Sequence, residues 1–275
     1  MTTKLGFIGG GNMASSLIGG LLRNAQINAD SIMVFEPNEE RAASLAKEFN
    51  IQLANNNEQL LNFANVIVIA VKPQVLRSVL LSLKDQFKIQ KPLIVSIVAG
   101  IRSDSIEQWL DDKYAVVRVM PNTPALVGKG ASGLYANERV SEQQKKVTTD
   151  LLNSVGVSIW VNSEADIDSV TALSGSGPAY FMLFIQSLIE AGEATGLDRA
   201  AAQQLAIATA AGSAQLIADS DQPLSTLIDN VTSPGGTTEQ ALKSFKDSDL
   251  KGIVQTAFNA ARIRSEQLAE ELGEK

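Results

Sequence analysis

The 275-residue chain contains no cysteine and no histidine. Without cysteine there is no disulfide, no thiol nucleophile, no iron–sulfur cluster and no thiolate zinc site. Without histidine there is no Ser-His-Asp triad, no imidazole base and no imidazole metal ligand. No metal site is expected, so chemistry falls to hydroxyls, carboxylates, amines, backbone amides or a bound cofactor. Positive charge is also scarce. Lys and Arg number 23 against 30 Asp and Glu, a net charge of −7, which argues against nucleic acid or an anionic membrane as a partner. No basic, apolar leader opens the chain, and the most apolar stretch, Ala179–Ile189, ends at Glu190 and reads as too short for a bilayer. A soluble, cytoplasmic protein of one or two domains with a real hydrophobic core is the expectation.

What is present alternates. Short β-branched runs at Leu5–Ile8, Ile32–Glu36, Val66–Val71, Leu93–Val98 and Val116–Met120 are separated by amphipathic segments at Ser15–Arg23, Glu39–Phe49, Gln74–Leu83 and Ser103–Leu110. The run VIVIAV (Val66–Val71) has no polar alternation, the pattern of a parallel strand buried on both faces. Strand and helix in alternation predict an open, mostly parallel sheet. Ala131–Tyr135 and Val157–Val161, around a helix at Glu142–Ser154, extend one edge. After Ser163 the pattern becomes helical only: Asp166–Leu173, Pro178–Thr195, Asp198–Ala218, Pro223–Val231, Gly235–Lys246 and Leu250–Leu272. Gly196 followed by Asp198 reads as a helix stop and then a helix start. The predicted architecture is an α/β Rossmann-type dinucleotide-binding domain at 1–162, followed by an all-helical substrate and dimerisation domain at 163–275.

GGGNMA (Gly9–Ala14) matches G-x-G-x-x-A between the first strand and the first helix. In that setting Gly9 makes the tight turn and Gly11 lets the backbone approach a pyrophosphate. Ala14 keeps helix close to strand, while Asn12 and Met13 begin the helix whose free amides face the phosphates. Glu36 closes the second strand, 22 residues after Ala14. It reads either as an acceptor for the ribose hydroxyls, favouring NADH, or as a solvated strand-end carboxylate. Asn38 and Arg41 follow and suit a 2′-phosphate, so NADH and NADPH both stay open. Ligands of open α/β sheets lie beyond the carboxyl ends of the strands, which places Ala70, Val71, Lys72, Pro73, Ala99 and Gly100 beside the cofactor. Asn56, within Asn55–Asn57, reads as a helix cap or a cofactor contact.

Two glycine-rich stretches stand out in the helical half: SGSGPAY (Ser174–Tyr180) and TSPGGTT (Thr232–Thr238). Each puts small residues ahead of a helix start, an arrangement that either links helices or holds a carboxylate on backbone amides.

GGGNMA, AVKPQ (Ala70–Gln74), SIVAGI (Ser96–Ile101), VRVMPNTPALVGKG (Val117–Gly130), ALSGSGPAYF (Ala172–Phe181) and NVTSPGGTT (Asn230–Thr238) occur in that order. Together they resemble the pyrroline-5-carboxylate reductase family across nearly the whole chain. The resemblance implies NADPH- or NADH-dependent reduction of 1-pyrroline-5-carboxylate to L-proline, the last step of proline biosynthesis. It further implies that the Thr238 hydroxyl hydrogen-bonds the ring nitrogen and relays its proton. The Ser233 hydroxyl and the amides of Ser233, Gly235, Gly236 and Thr237 would cradle the carboxylate. Glu164 matches a position near substrate, and Asn230 one near cofactor; Glu164 reads equally as a helix-start carboxylate. The resemblance also implies interlocked homodimers with sites composed from two chains, and dimers that can assemble into decamers. Two other readings compete. One is a β-hydroxyacid or 6-phosphogluconate-type dehydrogenase, disfavoured because SGSGPAYFMLFIQ carries no lysine. The other is a non-catalytic cofactor-binding regulator that kept the fold.

Overall fold

The computed structural model describes residues 3–273. Eight strands form one sheet: β1 (Leu5–Ile8), β2 (Ile32–Phe35), β3 (Gln52–Leu53), β4 (Val66–Ile69), β5 (Leu93–Ser96), β6 (Val116–Met120), β7 (Gly130–Ala136) and β8 (Gly156–Trp160). Their order is β3-β2-β1-β4-β5-β6-β7-β8. β6 and β7 pair antiparallel, and the other neighbours pair parallel. The chain order reverses between β1 and β4, which makes the crevice beyond their carboxyl ends the switch point of a doubly wound sheet.

The side chains of β4 go to both faces, as VIVIAV predicts. Val68 joins a core with Leu17, Ile18 and Leu21 of α1 (Asn12–Arg23), Leu45 of α2 (Glu39–Phe49) and Leu151 and Leu152 of α7 (Glu142–Asn153). Ile67 and Ile69 join a second core. It contains Leu60 of α3 (Asn57–Phe63), Leu76 of α4 (Pro73–Ser82), Phe87 of α5 (Lys84–Gln90) and Ile106 of α6 (Ser103–Leu110). Period-two alternation on a sheet covered by helices on both faces requires this.

By contacts the chain groups up to Ser176 and again from Ala261 as one unit, with Gly177–Ala260 as another. This division falls later than position 162 because α8 (Asp166–Val170) packs on the sheet. A Cβ at Gly133 of β7 would meet Val170 Cγ1 at 2.5 Å, so the missing side chain makes room for that valine. The end of α13 (Leu250–Gly273) belongs to the first unit, where Leu272 packs on the second core.

The second unit holds α9 (Gly177–Ala194), α10 (Arg199–Ala218), α11 (Leu224–Asn230), α12 (Thr237–Asp247) and the start of α13. Gly196 takes φ +98° and Asp198 caps α10 through Ala200 N and Ala201 N, as the sequence signals. Phe184 and Phe245 meet with ring centroids 6.0 Å apart. Yet only Gly177 and Ala202 are buried in this unit. Phe181 is 73% and Leu183 65% exposed. The helical run is also longer than Ala179–Ile189. It extends over Asp166–Ala194, 29 residues that include an 18-residue stretch of mean hydropathy 1.2, long and apolar enough to cross a membrane by length and composition. Ala179–Ile189, too short for a bilayer by itself, is only the middle of this run, because the glycines at 175 and 177 do not interrupt the helix.

In the first unit Tyr114 is 2% exposed and its hydroxyl has no partner. Its ring packs edge-on against Phe87, with the Lys91 ammonium 4.8 Å from its centroid. Burial, then the nearby Asp112 charge, pushes its pKa up to about 12 from 10.0. A raised phenol pKa contributes stability that is complete below pH 10 and lost as pH rises towards 12. Tyr114→Phe should remove that loss. At neutral pH it should leave stability within about 1 kcal/mol of the parent, because no hydrogen bond is given up. Urea unfolding at neutral and strongly alkaline pH checks both; a loss above about 2 kcal/mol at neutral pH would contradict the unpaired hydroxyl.

Candidate dinucleotide and substrate sites

The turn between β1 and α1 lies at the switch point. Gly9 has φ +97°, and a Cβ there would stand 2.8 Å from the Ala70 carbonyl oxygen. Gly11 differs. Its φ of −62° suits any residue, and the nearest atom to an added Cβ is the Ala70 oxygen at 3.8 Å. Nothing in the protein demands a glycine at that position, which leaves the space for a ligand. Helix α1 starts at Asn12 with no side-chain cap, so its first amides have no intrahelical acceptor. Asn12 is exposed, Met13 half-buried, and Ala14 fully buried between helix and strand. An uncapped helix start and a glycine that only a ligand needs fit a dinucleotide pyrophosphate.

Gly10 between them is clamped at both ends of its backbone. Its N–H donates to Glu36 Oε2 at 2.8 Å, and its carbonyl accepts from Arg41 Nε. Glu36 Oε1 accepts from Asn38 N at 3.1 Å, and Asn38 Oδ1 caps α2 by accepting from Arg41 N at 2.9 Å. Arg41 Nη2 donates to Asn12 Oδ1 at 2.8 Å. Glu36, Asn38 and Arg41 therefore act on the glycine turn as one network, which spacing alone did not reveal.

Ala70 and Val71 are half-buried after β4, Lys72 is exposed, and Pro73 opens α4. Ala99 is exposed in the turn after β5, and Gly100 there takes φ +73°. Asn56 caps α3, its Oδ1 accepting from Gln59 N at 2.8 Å.

Glu164 stands elsewhere in the same unit. Its Oε1 accepts from Ser103 N at 2.7 Å and from Arg118 Nη1 at 2.9 Å, while its Oε2 accepts from Ser103 Oγ at 2.7 Å. Sequence reading missed Arg118 and Ser103. An arginine inside the apolar strand VVRVM was the available signal, because a buried cation needs an anionic partner. The Tyr135 phenol is pushed up by burial and then by the Glu164 charge.

The two glycine-rich stretches turn out differently. The SGSG part of the first is helical: Thr171–Gly175 forms a π turn, and Ser176 N donates to Thr171 O at 2.8 Å. The expectation of free amides there is corrected, because the wider turn spends them within the helix. The second stretch is an open loop. Gly235 takes φ +72°, and its N–H donates to Glu239 Oε2 at 2.8 Å. Gly236 N donates to Ser233 O at 2.9 Å. Helix α12 then starts at Thr237 with Gly236 as its N-cap and no side-chain cap. The amides free for an anion are thus those of Thr237 and Thr238 rather than those of the two glycines. Thr238 is half-buried and Ser233 exposed. Asn230 ends α11, its Nδ2 donating to Gln222 Oε1 at 3.4 Å.

A doubly wound sheet with this glycine turn, joined to helices that bury almost nothing by themselves, defines a dinucleotide-dependent oxidoreductase with a helical association domain. Residues 4–100 match the family described as NADP oxidoreductase coenzyme F420-dependent, and residues 164–268 match pyrroline-5-carboxylate reductase dimerisation. The pyrroline-5-carboxylate reductase of Pseudomonas aeruginosa is 47% identical over 273 residues, covering 99% of each chain. The solved pyrroline-5-carboxylate reductase of Coxiella burnetii superposes with a TM-score of 0.94 at 38% identity, over 98% of this chain and 99% of that one. The Plasmodium falciparum enzyme with NADP bound gives 0.84 at 36% identity, over 98% of each. The chain belongs to the pyrroline-5-carboxylate reductase family.

The two glycines of the turn separate folding from binding. Gly9→Ala should lower stability by about 1 kcal/mol or more, through left-handed strain and collision with Ala70. Gly11→Ala should leave stability within about 0.5 kcal/mol and weaken NAD(P)H binding. Thermal unfolding and nicotinamide fluorescence titration distinguish them; unchanged binding in Gly11→Ala would contradict the ligand space.

Proposed function

We propose that the chain is an NAD(P)H-dependent reductase that converts 1-pyrroline-5-carboxylate to L-proline. The observation that carries this reading is the pairing, in a family member, of an uncapped glycine turn with an uncapped α12 start presenting Thr238. Residues 1–162 serve the dinucleotide and 163–275 serve substrate and association. Gly9, Gly11, Asn12, Met13 and Ala14 take the pyrophosphate. Glu36, Asn38 and Asn56 line the adenosine side, and Ala70, Val71, Lys72, Pro73, Ala99 and Asn230 complete the cofactor contacts.

Reduced nicotinamide, when bound, supplies the hydride for the imine carbon. The Thr237 and Thr238 amides, presented by the turn that Gly235 and Gly236 form, and the Ser233 hydroxyl hold the substrate carboxylate. The Thr238 hydroxyl donates to the ring nitrogen, which gains one proton as the C=N bond becomes a C–N bond. No nucleophile or imidazole is needed. The exposed apolar helices are covered by a second copy of the chain rather than by lipid, and dimers assemble further into decamers. The family's dimerisation segment, which spans these helices, supports that cover. The net charge of −7 supports a small-molecule partner over nucleic acid, and the cytoplasm suits a chain without cysteine.

Thr238→Ala should lower kcat on the imine about 10- to 1000-fold with cofactor binding near wild type. Loss of NAD(P)H absorbance with proline as product measures it, and an unchanged kcat would remove Thr238 from the mechanism. In the same assay Glu36→Ser should raise the NADPH/NADH preference, and an unmoved ratio would leave Glu36 only its bonds to Gly10 and Asn38.

A further inference from the structure

We infer that Asn122 is a positioning residue for the nicotinamide end of the dinucleotide site, acting through the segment that leaves the carboxyl end of β6. The inference rests on the dinucleotide reading above. Two stretches that carry the family resemblance, MPNTP (Met120–Pro124) and SGSGP (Ser174–Pro178), take no part in the proposed chemistry, and Asn122 joins them. Asn122 is 8% exposed. Its Oδ1 accepts from Ala131 N at 2.9 Å, near the start of β7, and its Nδ2 donates to the Ser174 carbonyl at 3.0 Å, inside the π turn. Its own carbonyl accepts from Ala125 N at 3.2 Å, within the 3₁₀ turn over Thr123–Val127. The segment after β6, the start of β7 and the π turn thus meet on one residue.

Pro178 creates the need for it. In an α-helix the Ser174 carbonyl would accept from residue 178, but proline has no N–H. Asn122 supplies a donor from outside the helix. An amide side chain can accept from one backbone group and donate to the other. Aspartate lacks the donor, and alanine leaves both backbone groups without these partners.

Two packing contacts hold the same junction. A Cβ at Gly175 would stand 2.5 Å from Met120 Cε, so the last residue of β6 lies directly against the π turn. Val170, one position ahead of that turn, fills the space over Gly133 of β7. Pro121 and Asn122 are buried, whereas Thr123, the next residue, is exposed. In a doubly wound sheet the first half, with the glycine turn and Glu36, takes the adenosine part. The second half, β4 to β6, takes the other mononucleotide beyond its carboxyl ends. A shift of about 1 Å in Met120–Thr123 should therefore cost about 10- to 100-fold in rate without loosening the adenosine side.

The test compares Asn122→Asp, Asn122→Ala and Gly175→Ala with wild type. NADPH is titrated by its nicotinamide fluorescence, and 2′,5′-ADP, which lacks nicotinamide, by calorimetry. Turnover is expressed per molecule that binds 2′,5′-ADP, so that loss of folded protein does not count. Asn122→Asp keeps the acceptor for Ala131 and loses the donor for Ser174. It should lower kcat about 10-fold and weaken NADPH, with 2′,5′-ADP within about 2-fold of wild type. Asn122→Ala should lower kcat further, towards about 100-fold. Gly175→Ala leaves Asn122 intact and displaces Met120 from the helix side. It should show the same pattern at smaller amplitude, and it decides the matter if neither Asn122 variant folds. Lower thermal stability with kcat and NADPH binding unchanged would make Asn122 a structural residue only and overturn the inference. Equal loss of NADPH and 2′,5′-ADP, a rise in the KM for the imine alone, or no change in any readout would also overturn it. Absence of turnover in wild type itself would instead sink the proposed reaction, and the NADPH against 2′,5′-ADP comparison would still judge Asn122.

Discussion

A stretch of helices from Gly177 to Ala260 in which only Gly177 and Ala202 are buried cannot be stable by itself. Large apolar side chains such as Phe181, Met182 and Leu205 stand mostly in solvent in the single chain. Burying one such side chain stabilises by roughly 1.5–3 kcal/mol, whereas ordering each residue costs about 1–2 kcal/mol of backbone entropy. Isolated helices do not meet that cost in water. The apolar area must be covered. The dimerisation segment at 164–268 spans these helices, and the cover is a second copy of the chain. The loop bearing Ser233 runs between α11 and α12, and Thr238 lies in the first turn of α12.

The first unit follows the opposite logic. Its sheet has a buried core on each face. Its chemistry lies in the backbone. Gly9 brings the turn against Ala70, Gly11 leaves room, and α1 offers uncapped amides, so phosphate binding needs no cationic side chain. The charged residues nearby serve the turn itself: Glu36 takes the Gly10 amide and Arg41 the Gly10 carbonyl. The absence of histidine and cysteine is then no handicap, since reaction at an imine with a nicotinamide hydride asks for placement and one hydroxyl donor.

Features with a local signal were legible in the sequence. VIVIAV reads as a strand covered on both faces because period-two side chains point both ways. Gly196 and Asp198 read as stop and start because φ sign and capping are local properties. GGGNMA located the turn, and the SPGGTT loop was placed before α12. What escaped notice had no local signal. β3 is two exposed residues, defined only by pairing with β2. The Ser174–Gly177 stretch looks like a loop because glycine and serine favour loops, but a π turn takes in Ser174 and Gly175 and α9 begins at Gly177. The Glu164, Ser103 and Arg118 cluster joins residues up to 61 positions apart, which no spacing rule reaches. Where the units divide was also hidden, because it turns on Val170 entering the space above Gly133.

Denaturant unfolding followed by far-UV circular dichroism over a wide range of protein concentration, with sedimentation equilibrium on the same samples, bears most directly on the claim that the helical unit lacks a core of its own. The account predicts a dimer or larger assembly, an unfolding midpoint that rises with concentration, and loss of helix together with dissociation. A folded monomer that keeps its full helix content on dilution, with a midpoint independent of concentration, would contradict it.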